Sequence, residues 1–153
     1  MKFTRLPNYN IHFTAETDEL IPYKKHQTDA GWDLKSKLPD FTLHPGGQIK
    51  IPTGIRIAIP RSFAGMIFPR SGLGTKYRVR LANTVGIIDS DYRGEIIVFL
   101  TNEGKTELKI YQYDRFCQLL IVPVVTGNLI KKETLPSTIR GEGGFGHTGV
   151  KHE

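Results

Sequence analysis

Two carboxylates, Asp89 and Asp91, stand two residues apart in "GIIDSDYRGEI" at 86–96, with Tyr92 and Arg93 directly after them. A carboxylate in such a bend can serve as a general base or can accept from a hydrated Mg2+. Two further segments break the strand patterns of the chain in the same way. "AGWDLKS" at 30–36 sets Asp33 among apolar residues at a strand start, and "PRSGLGTK" at 69–76 sets Arg70 and Ser71 in a glycine-punctuated turn. Near the end, "RGEGGFGHTG" at 140–149 places Arg140 and Phe145 among five glycines. Each feature alone has a plain structural reading. Asp in a turn caps backbone N–H groups, Ser-Gly is a common turn dipeptide, and a Gly-rich terminus is usually a loose tail. Together they form a chemical set. Arginines and consecutive backbone N–H groups suit phosphate oxygens, a carboxylate suits a base or a hydrated cation, and an isolated ring suits a base stack. The set describes a site for a nucleoside polyphosphate.

That site is not built on a familiar motif. "GLGTK" lacks Walker spacing, and Gly141 to Gly146 matches G-x-G-x-x-G with almost no chain left to form the helix that gives the pattern meaning. "PRSGLG" lacks the spacing of a nucleophile elbow. The histidines at 12, 26, 44, 147 and 152 show no paired metal spacing.

The elements that must position these residues read as strands. In "IKIPTGIRIAIP" at 49–60 the isoleucines alternate on both sides of a Pro-Thr-Gly turn, which predicts a strand pair. "FTLHPGG" at 41–47 runs from strand to turn, "EIIVFLTNEG" at 95–104 is apolar on both faces, "ELKIYQY" at 107–113 alternates, and "CQLLIVPVV" at 117–125 reads as a buried strand. One short helix is expected near "GLGTKYRV" at 72–79. Short strands at such spacing predict an all-β sandwich or barrel. From Gly127 onward the chain is polar and lacks core residues. Such a tail cannot offset an ordering entropy of roughly 1–2 kcal/mol per residue by itself, so a ligand or another chain must order it if it is ordered at all.

At 153 residues, 39% hydrophobic and 24% charged, the chain is one globular domain with a real core. A single cysteine, Cys117, rules out a disulfide framework within the chain and reads as a buried, inert thiol. The N-terminus has no apolar signal region and the longest apolar run, "LLIVPVV", is far short of a membrane span, so no membrane partner and a cytoplasmic location are expected. The net charge of +6 is scattered, without a basic helix or an aromatic-studded nucleic-acid signature, which makes nucleic acid a secondary hypothesis.

Five segments in order resemble the five motifs of the homotrimeric deoxyuridine triphosphatase (dUTPase) family: "AGWDLKS", "PRSGLGTK", "GIIDSDYRGEI", "RFCQLLI" at 115–121 and "RGEGGFGHTG". The resemblance implies a jelly-roll-like β-barrel over 1–139 and a Gly-rich C-terminal arm over 140–153. It also implies a homotrimer in which the arm crosses to a neighbouring subunit and closes over the nucleotide. The activity implied is hydrolysis of dUTP to dUMP and pyrophosphate with Mg2+, which limits uracil in DNA and supplies dUMP for dTTP synthesis.

Roles follow position by position. Asp89 matches the general base. Asn83, with the hairpin backbone from Gly86 to Ile88, matches the uracil reader, and Tyr92 matches the ring under the deoxyribose. Ser71 with its neighbours Arg70 and Gly72, and Gln118, match phosphate-binding positions. Arg70 reads at the same time as a scaffold pair, as does Arg93. Asp33 matches a residue that holds Mg2+ through water, the triphosphate being its main ligand. Arg140 and Thr148, with Gly146 and His147 beside them, match the γ-phosphate end, and Phe145 matches a lid ring over uracil. Trp32, Phe116-Cys117 and His147 depart from the usual pattern, and the first twenty or so residues match poorly.

Two alternatives have discriminating features. A deoxycytidine triphosphate deaminase shares the fold but expects a glutamate in the third motif, where this chain has Asp89-Ser90-Asp91-Tyr92. A non-catalytic regulatory module would be expected to lose Asp89 or the tail, and both are present. The motifs leave a regulatory protein partner open.

Overall fold

Alternating apolar residues build eleven short strands in the computed structural model, which describes residues 9–144. In chain order these are β1 (His12–Ala15), β2 (Trp32–Lys35), β3 (Phe41–Leu43), β4 (Gln48–Pro52), β5 (Ile55–Ala58) and β6 (Phe63–Pro69). There follow β7 (Val79–Leu81), β8 (Gly86–Ile88), β9 (Ile97–Asn102), β10 (Leu108–Ile110) and β11 (Arg115–Pro123). A 3-10 turn covers Asp18–Leu20, and one helix, α1, covers Ser71–Tyr77. All pairings are antiparallel. The largest sheet has the order β2-β11-β6-β8, a second has β4-β9-β7, and β1-β5 and β3-β10 form two-stranded pieces. The architecture is all-β and jelly-roll-like.

The inner faces of all four sheets meet in one core, with Leu34, Ile51, Ile55 and Leu100 fully buried. Each such side chain contributes about 1.5–3 kcal/mol. β9 divides its residues as period two demands: Val98 and Leu100 face the core, while Ile97 and Phe99 stay exposed at 39% and 44%. The buried amide of Asn102 closes the end of this strand. Its Nδ2 donates to the carbonyls of Leu43 and Thr106, both at 2.9 Å, and its Oδ1 accepts from Gly104 N–H at 2.9 Å.

The run at 49–60 contains two strands, as expected, but they do not pair with each other. β4 pairs with β9 and β5 pairs with β1. The corner between them passes the chain from one sheet to another. Gly54 takes φ +69 there, and a Cβ on it would meet Leu20 Cδ1 at 2.4 Å. Thr53 Oγ1 donates to Ile96 O at 2.8 Å and accepts from Ile55 N–H at 3.2 Å, so the corner is tied to the segment just after Asp89–Tyr92. Two of the three segments that break the strand pattern contain strands after all, β2 and β8, because each lends a short run to the edge of the largest sheet. α1 starts and ends slightly earlier than expected. It stops at Arg78, which adopts φ 56 and turns its N–H back to Gly74 O.

After Pro123 the described chain has no further strand or helix, and Val125, Leu129, Ile130, Leu135 and Ile139 are exposed. Among the described residues no helix is long and apolar enough to cross a membrane.

Candidate functional site

The residues singled out in the sequence gather in two clusters at opposite edges of the largest sheet. The first is centred on Asp33 in β2, which is only 7% exposed. Its Oδ1 accepts from Gln118 Nε2 at 3.1 Å and lies 3.5 Å from Arg70 Nε. Its Oδ2 lies 3.3 Å from Arg115 Nη1. Arg70 Nη1 also donates to Arg115 O at 3.0 Å, which makes it a scaffold pair as well as a cation at the site. A cavity of about 560 Å³ opens over this group. Gly31 on its wall is closely packed, since a Cβ would lie 2.8 Å from Leu120 Cδ1 and 3.1 Å from Leu119 O.

A bulge in β11 makes the cluster possible. Arg115 pairs with Lys35 and Cys117 with Leu34, so Phe116 is an extra residue on the β11 side. In a regular strand Arg115 and Gln118, three positions apart, would face opposite ways. The bulge brings both to Asp33 and leaves Phe116 and Cys117 together in the core. Burial pushes the Cys117 thiol well above its ordinary range, which fits an inert side chain.

Ser71 and Gly72 begin α1, where a helix leaves its first N–H groups without intrahelical partners. Both residues are exposed, and nothing lies within 4 Å of the place a Gly72 Cβ would take.

The second cluster is the hairpin between β7 and the start of β9. Asn83 sits in the β7–β8 turn, and Gly86 packs so closely on β6 that a Cβ would lie 3.2 Å from Ile67 Cβ. Asp89 follows β8 directly, and its carbonyl accepts Tyr92 N–H at 3.1 Å. The Tyr92 hydroxyl donates to Glu95 O at 3.0 Å. Its ring covers Gly94 so closely that a Cβ there would overlap it at 2.3 Å. Arg93 Nη1 donates to Ser90 O and Tyr92 O, both at 2.8 Å, and so braces the turn. Ile87, Ile88, Asp89 and Tyr92 line a cavity of about 230 Å³. Asp89 is exposed, and among the described residues no cation forms an ion pair with it.

The sheet register keeps the two clusters apart. Ile88, next to Asp89, pairs with Gly65, while Asp33 lies in the row through Gln118 and Phe68. Three strand spacings across and four residues along correspond to roughly 20 Å between the two backbone positions along the sheet. Arg140 joins neither cluster; its Nε donates to Gly143 O at 2.9 Å on the exposed segment. Phe145, Gly146, His147 and Thr148 lie outside the described residues. No group of three His, Cys, Asp or Glu suited to a metal occurs among the described residues.

Sequence reasoning missed two participants. Tyr23 forms an isolated backbone bridge with Asp33, and the Arg115 guanidinium lies 4.8 Å from the centre of its ring. Arg115 stands in a motif, but only the unforeseen bulge turns it toward Asp33.

Comparison with known proteins gives a uniform result. The sequence profile of the dUTPase family matches residues 18–149. A deoxyuridine 5'-triphosphate nucleotidohydrolase of Desulfitobacterium hafniense is 46% identical over 123 residues, covering 79% of this chain and 82% of that protein. One from Roseobacter denitrificans is 37% identical over 148 residues, covering 94% of this chain and 97% of its own. Among solved structures, the dUTPase of Staphylococcus bacteriophage 80alpha with dUPNHPP superposes with a TM-score of 0.85 at 26% identity, covering 94% of this chain and 100% of that chain. A variant of the dUTPase from phage phi11 of S. aureus, described with a structural Mg(II) ion, shares the fold at TM-score 0.74 and 23% identity, covering 82% and 98%.

Proposed function

We propose, since the chain belongs to the dUTPase family, that it hydrolyses dUTP to dUMP and pyrophosphate by attack of water on the α-phosphorus. As a member it is an enzyme of the dUTP nucleotidohydrolase class. The observation that carries the mechanism is the contrast between its two carboxylates. Asp89 is exposed at the mouth of the hairpin cavity, and among the described residues no cation forms an ion pair with it, so its oxygens are open to accept a proton from water. The water oxygen then bonds to the α-phosphorus, and the bond to the bridging oxygen of the pyrophosphate breaks. A positioned base contributes typically ~10²–10⁴-fold. Asn83 and the backbone from Gly86 to Ile88 read the uracil edge, and Tyr92, held by Glu95 and seated on Gly94, lies under the deoxyribose. Arg70, Ser71, Gly72 and Gln118 hold the phosphates. Arg140, Phe145, Gly146, His147 and Thr148 belong to the arm that closes the site.

Asp33 fits a role in the outer sphere of a metal. One hydrogen bond from Gln118 and two flanking guanidinium groups already engage its oxygens. It is therefore suited to accept from a water on Mg2+ rather than to bind the ion itself. Mg2+, when bound to the triphosphate, supplies charge neutralisation on its oxygens.

We propose a homotrimer, as the family resemblance implies. The roughly 20 Å between the backbone positions of Asp89 and Asp33 along the sheet supports a site shared between copies. The phosphate cluster of one copy therefore completes the hairpin of another. The exposed Ile97 and Phe99 on the outer face of β9, with Ile97 and Ile87 at the rim of the hairpin cavity, support contact between copies there. In the cytoplasmic setting expected from the sequence, this activity would limit uracil in DNA and supply dUMP for dTTP synthesis.

Pyrophosphate release from dUTP, dTTP, dCTP and UTP, each with Mg2+, tests the reading. Turnover of dUTP alone is expected, because the hairpin excludes the thymine methyl and the cytosine amine while Tyr92 leaves no room for a 2′-hydroxyl. Comparable turnover of dCTP or UTP would remove the roles given to Asn83 and Tyr92.

A further inference from the structure

Asp33 is held by a closed ring of contacts. The backbone of Tyr23 pairs with that of Asp33 in both directions: Tyr23 N–H donates to Asp33 O at 3.0 Å, and Asp33 N–H to Tyr23 O at 2.8 Å. The Tyr23 ring stacks on the Arg115 guanidinium at 4.8 Å. That guanidinium lies 3.3 Å from Asp33 Oδ2 and so returns to the starting residue. A second loop shares the same members, since Arg70 Nη1 donates to Arg115 O at 3.0 Å while its Nε lies 3.5 Å from Asp33 Oδ1. Gln118, bonded to Oδ1, completes the group.

We propose that Tyr23 and Arg115 are positioning residues for triphosphate recognition, which act by fixing the plane of the Asp33 carboxylate and, through it, the amide of Gln118. The assignment rests on the hydrolase reading above. A guanidinium on a long, half-exposed side chain has many rotamers, and stacking on a ring selects one of them. The bridge anchors the Tyr23 backbone to the strand it serves and so sets the base from which the ring reaches the guanidinium. With Asp33 fixed, Gln118 spends one N–H on Oδ1 and keeps its other N–H and its carbonyl oxygen for ligand. Both proposed residues are only partly buried, Tyr23 being 40% exposed. Their truncation therefore leaves the core untouched, and a loss of binding reports on the site rather than on folding.

The test is calorimetric titration with the imido analogue of dUTP and Mg2+, alongside dUMP, on the full-length protein. Arg115→Ala is expected to weaken analogue binding by about 10–100-fold, as loss of a supporting partner does around a metal site. Affinity for dUMP, which lacks the two outer phosphates, should change less than about threefold by the same reasoning. Tyr23→Ser should reproduce part of that loss, and Tyr23→Phe, which keeps the ring, should restore it. The double variant Arg115→Ala/Asp33→Asn should bind within about threefold of the weaker single variant, since both changes break one chain of action. Losses that multiply in the double variant would overturn the proposal and make Arg115 a direct phosphate ligand. Equal losses for dUMP and for the analogue would reduce the ring to a structural brace and overturn it also. Wild-type protein that binds neither nucleotide would refute the hydrolase reading itself, a result separable from both.

Discussion

Asp89 and Asp33 are the same residue type in opposite settings. Asp89 stands in the open with no ion-pair partner among the described residues, whereas Asp33 is nearly buried between two guanidinium groups and an amide. The first is open to solvent; the second is held by its neighbours. Asp89→Asn keeps the shape and removes the proton acceptor. Turnover should fall at least about 10²-fold, while calorimetry with a non-hydrolysable dUTP analogue should give affinity close to wild type. A variant that kept most of its turnover would take the base role away from Asp89. The residue types and order of the motifs make Asp33, Arg70, Asp89, Tyr92 and Gln118 readable without a structure. Tyr23 and Arg115 are not readable in this way. Their parts depend on a bridge across the chain and on one extra residue in β11, and neither leaves a mark in local composition.

At the scale of elements, the site hairpin owes its shape to groups outside it. Thr53 and Gly54, at the corner between β4 and β5, bond to Ile96 O and to Glu95 Oε1, and thereby hold the segment that follows Tyr92. The Pro-Thr-Gly turn was legible. Its joining of two sheets, in place of a single hairpin, was not, because alternation within a strand says which face is buried and nothing about which partner lies alongside. Asn102 plays a comparable part for β9. Asn102→Ala would strand Gly104 N–H and the carbonyls of Leu43 and Thr106. At ~1–3 kcal/mol for each orphaned group, stability should drop by about 3 kcal/mol or more, visible as a lower Tm at fixed protein concentration. The arm is the opposite kind of element. Arg140 touches neither cluster and its segment is exposed. Removal of residues 140–153 should leave melting behaviour and oligomer size unchanged and abolish most dUTP turnover. Loss of the assembly instead would make the arm a structural part first.

Across the whole molecule, the sheet register separates the two clusters, and the proposed assembly would bring them together between copies. The apolar outer residues of β9 are readable in the sequence as a strand hydrophobic on both faces, and the structure leaves that outer face open. Phe99→Asp should therefore leave each chain folded but shift the protein to smaller species in light scattering after size exclusion, with turnover lost in parallel. An unchanged mass would move the contact between copies to another surface. The resemblance carried by the five motifs implied a site shared between subunits, but the distance between motifs along a chain does not disclose how many strands lie between them, which only the register shows.

The proposed sharing of one site between copies has a meaning for heredity. A lesion at Asp89 damages only the hairpin that its own copy presents, and a lesion at Gln118 damages only the phosphate cluster. In a cell holding one allele of each kind, mixed assemblies would contain some junctions built wholly from intact halves. Two alleles that are each null alone would then complement one another.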